Sequence, residues 1–304
     1  MKQLIACFAA VFIFAMPARA DVPEDIIAAS VQVNDVGSGV IYRNKTVSFV
    51  WTDAHVIDDS QSVTKKACPK TGRPITVVTY KDHWCHQDLV EDGRKVGRIS
   101  VLAKVVRYSE SHDIALLRVY KANFGKSAKF AAAIPKQGTG VWNVGCARGN
   151  AGTMSLSDGV VSAVGRLRRD GVSTDTDSPF IYDQFTCAVA HGNSGGGIFR
   201  KDNGECLGLF TEWMAGNPLT FGCTMMTPTR RIREFAKTYK CEWAVDDSVP
   251  IPETDREPIT CDPLESPEPA CAIPECGTPN APPRPFIIPL PQPPGSSRSS
   301  GDNR

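Results

Sequence analysis

Net charge is nearly absent: 34 Lys and Arg face 33 Asp and Glu over 304 residues, leaving +1. A protein devoted to nucleic acid needs a strong basic excess for its phosphate contacts, so this balance argues against that class. No internal repeat is visible and no coiled-coil or collagen-like period runs through the chain, which excludes fibrous architectures. A membrane-spanning helix needs about 20 apolar residues, and the run at the start, Leu4 to Met16, has 13. What is present is a hydrophobic fraction of 41%, enough side chain to bury a core and to exclude disorder throughout.

The same short run fits an export signal. Lys2 precedes it, and Ala18-Arg19-Ala20 sets small residues at the positions a signal peptidase reads. Cleavage after residue 20 is therefore expected, leaving a periplasmic or secreted chain with no integral membrane segment. It removes Cys7, so 11 cysteines become 10, an even number in a compartment where disulfides persist.

Composition changes near Asp246. Residues 246–304 hold 15 of the 23 prolines and end in a Gly-Ser run, a mix that cannot bury enough surface to offset chain entropy. An extended, disordered, proline-rich tail is expected there, following a body over 21–245. Nine acidic residues stand against Arg256 alone between Asp246 and Cys276, so the tail is partly acidic; composition reads it as a solvated spacer, the alternative being that its acidic stretch lies against the basic body. Of the ten mature cysteines seven lie in the body and three in the tail. If all pair within one chain, parity requires at least one bridge from tail to body.

The body reads as short strands between turns: 46–51, 99–108, 114–120, 141–144, 180–190 and 207–213 are rich in β-branched or aromatic residues. That spacing predicts an all-β sandwich or barrel. Asp202-Asn203-Gly204 predicts a tight hairpin turn. After Pro228, Thr229 is placed to cap a helix through Tyr239, with Ile232, Phe235 and Ala236 on one face and Arg and Lys on the solvated remainder.

Three segments carry chemistry. In Ala190-His191-Gly192-Asn193-Ser194-Gly195-Gly196-Gly197 a single serine sits among glycines, where the backbone can turn sharply and aim two amides at one point. Acyl transfer needs that arrangement: the serine oxygen attacks a carbonyl, and the Gly192 and Ser194 amides can bind the developing oxyanion. Thr52-Asp53-Ala54-His55 offers a general base. Ser111-His112-Asp113-Ile114 offers an acid that could orient it, although Asp53, Asp58 and Asp59 compete for that role. His83-Trp84-Cys85-His86 with Cys68 matches no common zinc spacing. The basic clusters Arg166-Leu167-Arg168-Arg169 and Arg230-Arg231-Ile232-Arg233 read as solvated faces.

Gly37-Ser38-Gly39-Val40-Ile41, Thr52-Asp53-Ala54-His55-Val56, Asp113-Ile114-Ala115-Leu116-Leu117 and Gly192-Asn193-Ser194-Gly195-Gly196 together resemble the trypsin/chymotrypsin-like serine proteases, and within them the bacterial Do (HtrA)-like branch. The order His, Asp, Ser is the family's. The resemblance, over roughly residues 30–240, implies two six-stranded antiparallel β-barrels, a C-terminal helix and a site between the barrels. It makes His55 the base, Asp113 the orienting acid and Ser194 the nucleophile, with an oxyanion hole at Gly192 and Ser194. The implied activity is that of a serine endopeptidase on protein or peptide substrates, with no metal and no other cofactor.

Departures from the family also inform. Asn193 stands where digestive relatives carry an aspartate that pairs with a newly cut N-terminus, so no activating cut beyond signal removal is expected. Val56 replaces a cysteine, and the 59-residue tail is too short and too proline-rich for a PDZ domain. By resemblance the specificity pocket has Ala188 at its floor and Thr211, Glu212 and Trp213 along one wall. The uncharged floor predicts apolar or small side chains before the scissile bond, and Glu212 would favour a basic one if it turned inward. The competing reading is a binding protein on a protease scaffold.

Overall fold

The computed structural model describes residues 22–57, 61–67, 74–92, 94–147, 154–167, 180–213 and 224–253. The chain divides into two units, Met1–Pro267 and Glu268–Arg304, and every described residue lies in the first. The signal segment, Cys68, Asp58, Asp59 and nearly all of the tail lie outside the described residues.

A short helix α1 (Val22–Ala28) leads into β1 (Ser30–Val33), β2 (Gly37–Asn44) and β3 (Val47–Thr52). After a separate hairpin of β4 (Gln61–Ala67) and β5 (Pro74–Tyr80) come β6 (His83–Glu91), β7 (Arg94–Ser109) and β8 (Ile114–Val119). Strands β1-β2-β3-β8-β7-β6 close into a barrel, every neighbour antiparallel. The second barrel uses β9 (Gly140–Gly145), β10 (Ser155–Leu167), β11 (Ile181–Phe185), β12 (Gly197–Arg200), β13 (Cys206–Trp213) and β14 (Thr224–Pro228). Its order is β10-β11-β14-β13-β12-β9, again closed and antiparallel. Helix α2 (Thr229–Thr238) follows. The expected all-β, two-barrel architecture with a C-terminal helix is the observed one. Among the described residues no helix is long and apolar enough to cross a membrane.

Strands β2, β3 and β8 are buried along nearly their whole length because both their faces are covered. Ile41, Val50, Ala115 and Leu117 point into the first barrel. Their neighbours Val40, Tyr42, Phe49, Trp51, Ile114 and Leu116 join a larger cluster with Phe199, Leu209, Ile232, Phe235 and Trp243. That cluster binds second-barrel strands and α2 to the first barrel. In the second barrel's interior lie Val141, Val161, Phe185, Ile198, Phe210 and Met226.

Four expectations need correction. Thr229 does not cap α2: it is the first helical residue, and its hydroxyl donates to the Ala131 carbonyl at 3.1 Å, while Pro228 holds the cap position. The Arg230–Arg233 cluster is not a solvated face. Arg231 is buried, and Arg230 forks onto the fully buried Asp183 at 2.6 and 2.8 Å. The body does not stop at Val245, because Val249 and Ile251 join the main cluster and the Val249 carbonyl accepts the Asn44 amide at 3.0 Å. Finally, Cys85, Cys187 and Cys206 are buried free thiols; burial pushes each up to about 12. Not all ten cysteines pair, so parity no longer obliges a tail bridge.

Candidate active site

His55 sits in a short 3-10 turn, Ala54–Val56, directly after β3. Asp113 ends the turn that opens β8. The register pairs Thr52 with Ala115, so the residues just beyond that pair on each strand converge at one barrel rim. There the His55 ring Nδ1 lies 2.9 Å from Asp113 Oδ2 and 3.0 Å from Oδ1, and the His55 backbone N–H also donates to Oδ1 at 3.0 Å. The pair is partly open to solvent, with side chains 44% and 24% exposed. Asp113 adopts φ +50°, a left-handed conformation that Asp tolerates better than most residues. Behind it, Arg231 of α2 donates to the His112 carbonyl at 2.9 Å, and its guanidinium lies 4.4 and 4.5 Å from the ring centres of Phe180 and Tyr182. This buried cation is covered by aromatic faces.

Ser194, half-buried, stands on the turn before β12. Hydrogen bonds fix that turn from both barrels. From the first, the Ser38 hydroxyl donates to the Gly192 carbonyl at 2.6 Å and the Ser38 N–H to the Ser194 carbonyl at 2.8 Å. From the second, the Gly195 N–H reaches the Phe210 carbonyl at 2.8 Å, and Asn193 donates its side-chain amide to Asn143 Oδ1 at 2.6 Å. Asn193, Gly195 and Gly196 spend their N–H groups on Ala190, Phe210 and Asn193 carbonyls. The N–H groups of Gly192 and Ser194 meet no acceptor among the described residues. Gly195 has φ +79°, and a Cβ there would collide with the Ser38 carbonyl and the Thr52 hydroxyl, so only glycine closes this loop against the first barrel.

Asp53, fully buried, does not hydrogen-bond the His55 ring; its Oδ2 accepts the Gly195 N–H at 2.8 Å. Burial first, and the Asp113 charge second, hold its carboxyl well above the usual range. Of the residues expected in a pocket, Ala188 is exposed and its carbonyl accepts the Ser157 hydroxyl at 2.6 Å. Thr211 is turned to β14, sharing a 2.7 Å hydrogen bond with Thr227. Glu212 is half-buried, and the Trp213 side chain lies outside the described residues. In the His83–His86 segment the two rings have separate partners, His83 bonding Asn34 and His86 bonding Ser100. Reading the sequence missed Ser38, Asn143 and Arg231. Only Ser38 carried a signal, standing between the two glycines of the Gly-Ser-Gly segment.

Paired six-stranded antiparallel barrels define the chymotrypsin-like fold, and here an imidazole–carboxylate pair lies at the rim of the first barrel while a glycine-rich serine turn precedes β12 of the second. The chain belongs to the trypsin-like peptidase domain family, whose model matches residues 37–209. Among solved structures it is similar to a serine endoprotease from Yersinia pestis, at 20% identity over 72% of this chain and 66% of that one, with a TM-score of 0.48. The chain thus spans slightly less than two thirds of that protein's length. No curated protein matches it.

Proposed function

We propose that the protein is an exported serine endopeptidase that hydrolyses peptide bonds through an acyl-enzyme. In this reading neutral His55 takes the proton of Ser194 as its hydroxyl attacks the scissile carbonyl. Asp113 holds the ring tautomer that presents Nε2 to the serine and stabilises the imidazolium. The Gly192 and Ser194 amides bind the oxyanion. The observation that carries it most directly is the doubled contact of His55 Nδ1 with both Asp113 oxygens, at 2.9 and 3.0 Å.

Residues 1–20 would direct export and be removed. Asn193, already bonded to Asn143, supports a loop that needs no activating cut. With Ala188 at its floor, the pocket would accept apolar or small side chains. The decisive experiment is labelling of the mature protein by a fluorophosphonate, with Ser194→Ala as control. Labelling of the wild type alone is expected. A well-folded wild type that resists the probe would overturn the reading in favour of a binding protein on a peptidase scaffold. Cleavage profiling on a peptide library would then test the pocket.

A further inference from the structure

Asp53 is a buried carboxyl that the proposed chemistry leaves unused. Its Oδ2 shares the Gly195 N–H with the Phe210 carbonyl. Its Oδ1 is buried with no hydrogen-bond partner. Polar side-chain atoms of Asp53, His55 and Asp113 lie within 4.8 Å of one another. An ionised carboxylate fully buried with one oxygen unpaired is among the costliest groups to bury, and a second carboxylate beside it raises that cost.

Chemistry decides which of the two acids keeps its charge. Asp113 accepts two N–H groups from His55, backbone and ring, and is partly solvated; both features favour the anion. Asp53 has half of one N–H and no solvent. A proton on Oδ1 turns the unpaired acceptor into a donor, with the Asp113 carboxylate as the nearby anion able to receive it. The charged groups facing Asp53 are His55 from the 3-10 turn, Asp113 from the β7–β8 turn and Arg231 from α2. The buried Arg231 cation does not hydrogen-bond Asp53 and is engaged with the His112 carbonyl.

We propose that Asp53 is a positioning residue of the active site, an un-ionised carboxylic acid that donates its hydroxyl toward Asp113 while its other oxygen holds the Gly195 amide. It ties the histidine turn to the nucleophile loop, and so sets the distance between the base and the serine from beneath. The role rests on the peptidase reading, but the protonation state does not.

Two variants and one spectroscopic measurement test it. Asp53→Asn keeps an acceptor for Gly195 and a donor for Asp113, imitating the neutral acid; Asp53→Ala keeps neither. Asp53→Ala should lower kcat on the order of 100-fold through misplacement of the base, with KM little changed. Asp53→Asn should recover most of that loss and keep the wild-type acid limb of the pH–rate profile. Were Asp53 ionised, Asp53→Asn would remove a charge beside His55 and move that limb to lower pH; either that shift or an Asp53→Asn as impaired as Asp53→Ala overturns the proposal. Independently, carbon-13 NMR of the labelled aspartates, with Asp53→Asn assigning the signal, should show Asp53 protonated through neutral pH. Titration near the ordinary value of about 3.9 would overturn it. Because that titration needs no turnover, it can be run on Ser194→Ala, and failure of the fluorophosphonate experiment would condemn the peptidase reading alone.

Discussion

Asn193 shows how much one atom decides in the Ser194 loop. Its side chain is 2% exposed, and its Nδ2 donates to Asn143 Oδ1 at 2.6 Å. Asp at this position would set a carboxylate oxygen against that carbonyl oxygen. Asn143 would have to turn its amide over, giving up its 3.4 Å contact to the Gly197 carbonyl. Asn193→Asp should therefore cost on the order of 3 kcal/mol near neutral pH. The sign follows from linkage: burial raises the folded value of the new acid above its unfolded one, so the deficit grows as pH rises above about 4 and shrinks below it. Denaturant titrations of both proteins at pH 4 and pH 7 measure it, and a deficit that does not change with pH would refute the argument. The motif residues themselves were legible, since His55, Asp113 and Ser194 each sit in a distinctive local string. Asn143 was not, because its importance comes from a partner 50 residues away and nothing in its own neighbourhood marks it.

At the scale of elements, legibility followed from how a strand is covered. Strands β3, β8 and β13 are rich in β-branched and aromatic residues and were read close to their true limits; β1, β2, β4, β5, β6, β10 and β14 were not read as strands. β10 carries serine and glycine through Ser155–Leu167 and is almost wholly exposed or half-exposed, so its side chains give little apolar signal. Helix α2 was found from its apolar spacing, yet Arg231 was assigned to water. The sequence pattern alone could not foresee that Phe180 and Tyr182, some fifty residues earlier, would cover that arginine. Strand β6 supplies a test. Along it His83 turns in, Trp84 out and Cys85 in, and the His83 Nδ1 meets the Asn34 amide at 2.8 Å. Burial pushes His83 down to about 4, below the roughly 6.5 of an unfolded chain. Its contribution to stability is thus complete above pH 6.5 or so and is lost as pH falls toward 4. Comparing the wild type with His83→Leu across that window should show the gap between them narrowing by up to about 3 kcal/mol, and a constant gap would contradict a neutral buried ring.

Across the whole molecule, the residues after α2 act as a belt. Trp51 donates to the Ala244 carbonyl at 2.8 Å, the Asn44 side chain donates to the carbonyls of Trp243 and Val249 at 2.9 and 3.0 Å, and the Trp243 ring lies 4.6 Å from Phe49. All four contacts return the chain from the second barrel to β2 and β3 of the first, the strands that lead to the His55 turn. A boundary drawn where proline and acid become frequent, at Asp246, cuts this belt before its end, because composition registers the tail's first polar residues and not the two apolar ones, Val249 and Ile251, that still pack on the core. Ile251 is 5% exposed, and burying such a side chain contributes about 2 kcal/mol; the Asn44 bond to Val249 adds about 1 kcal/mol. A chain of residues 21–245 should therefore unfold about 2–4 kcal/mol more easily than one of residues 21–253, measured by urea denaturation. The longer form should react with fluorophosphonate as fast as the full mature chain, since the proposed site draws only on residues before the belt's end. Equal stability of the two truncations would mean that the belt ends at Val245; a stable but unreactive 21–253 would give the proline-rich segment a part in the active site.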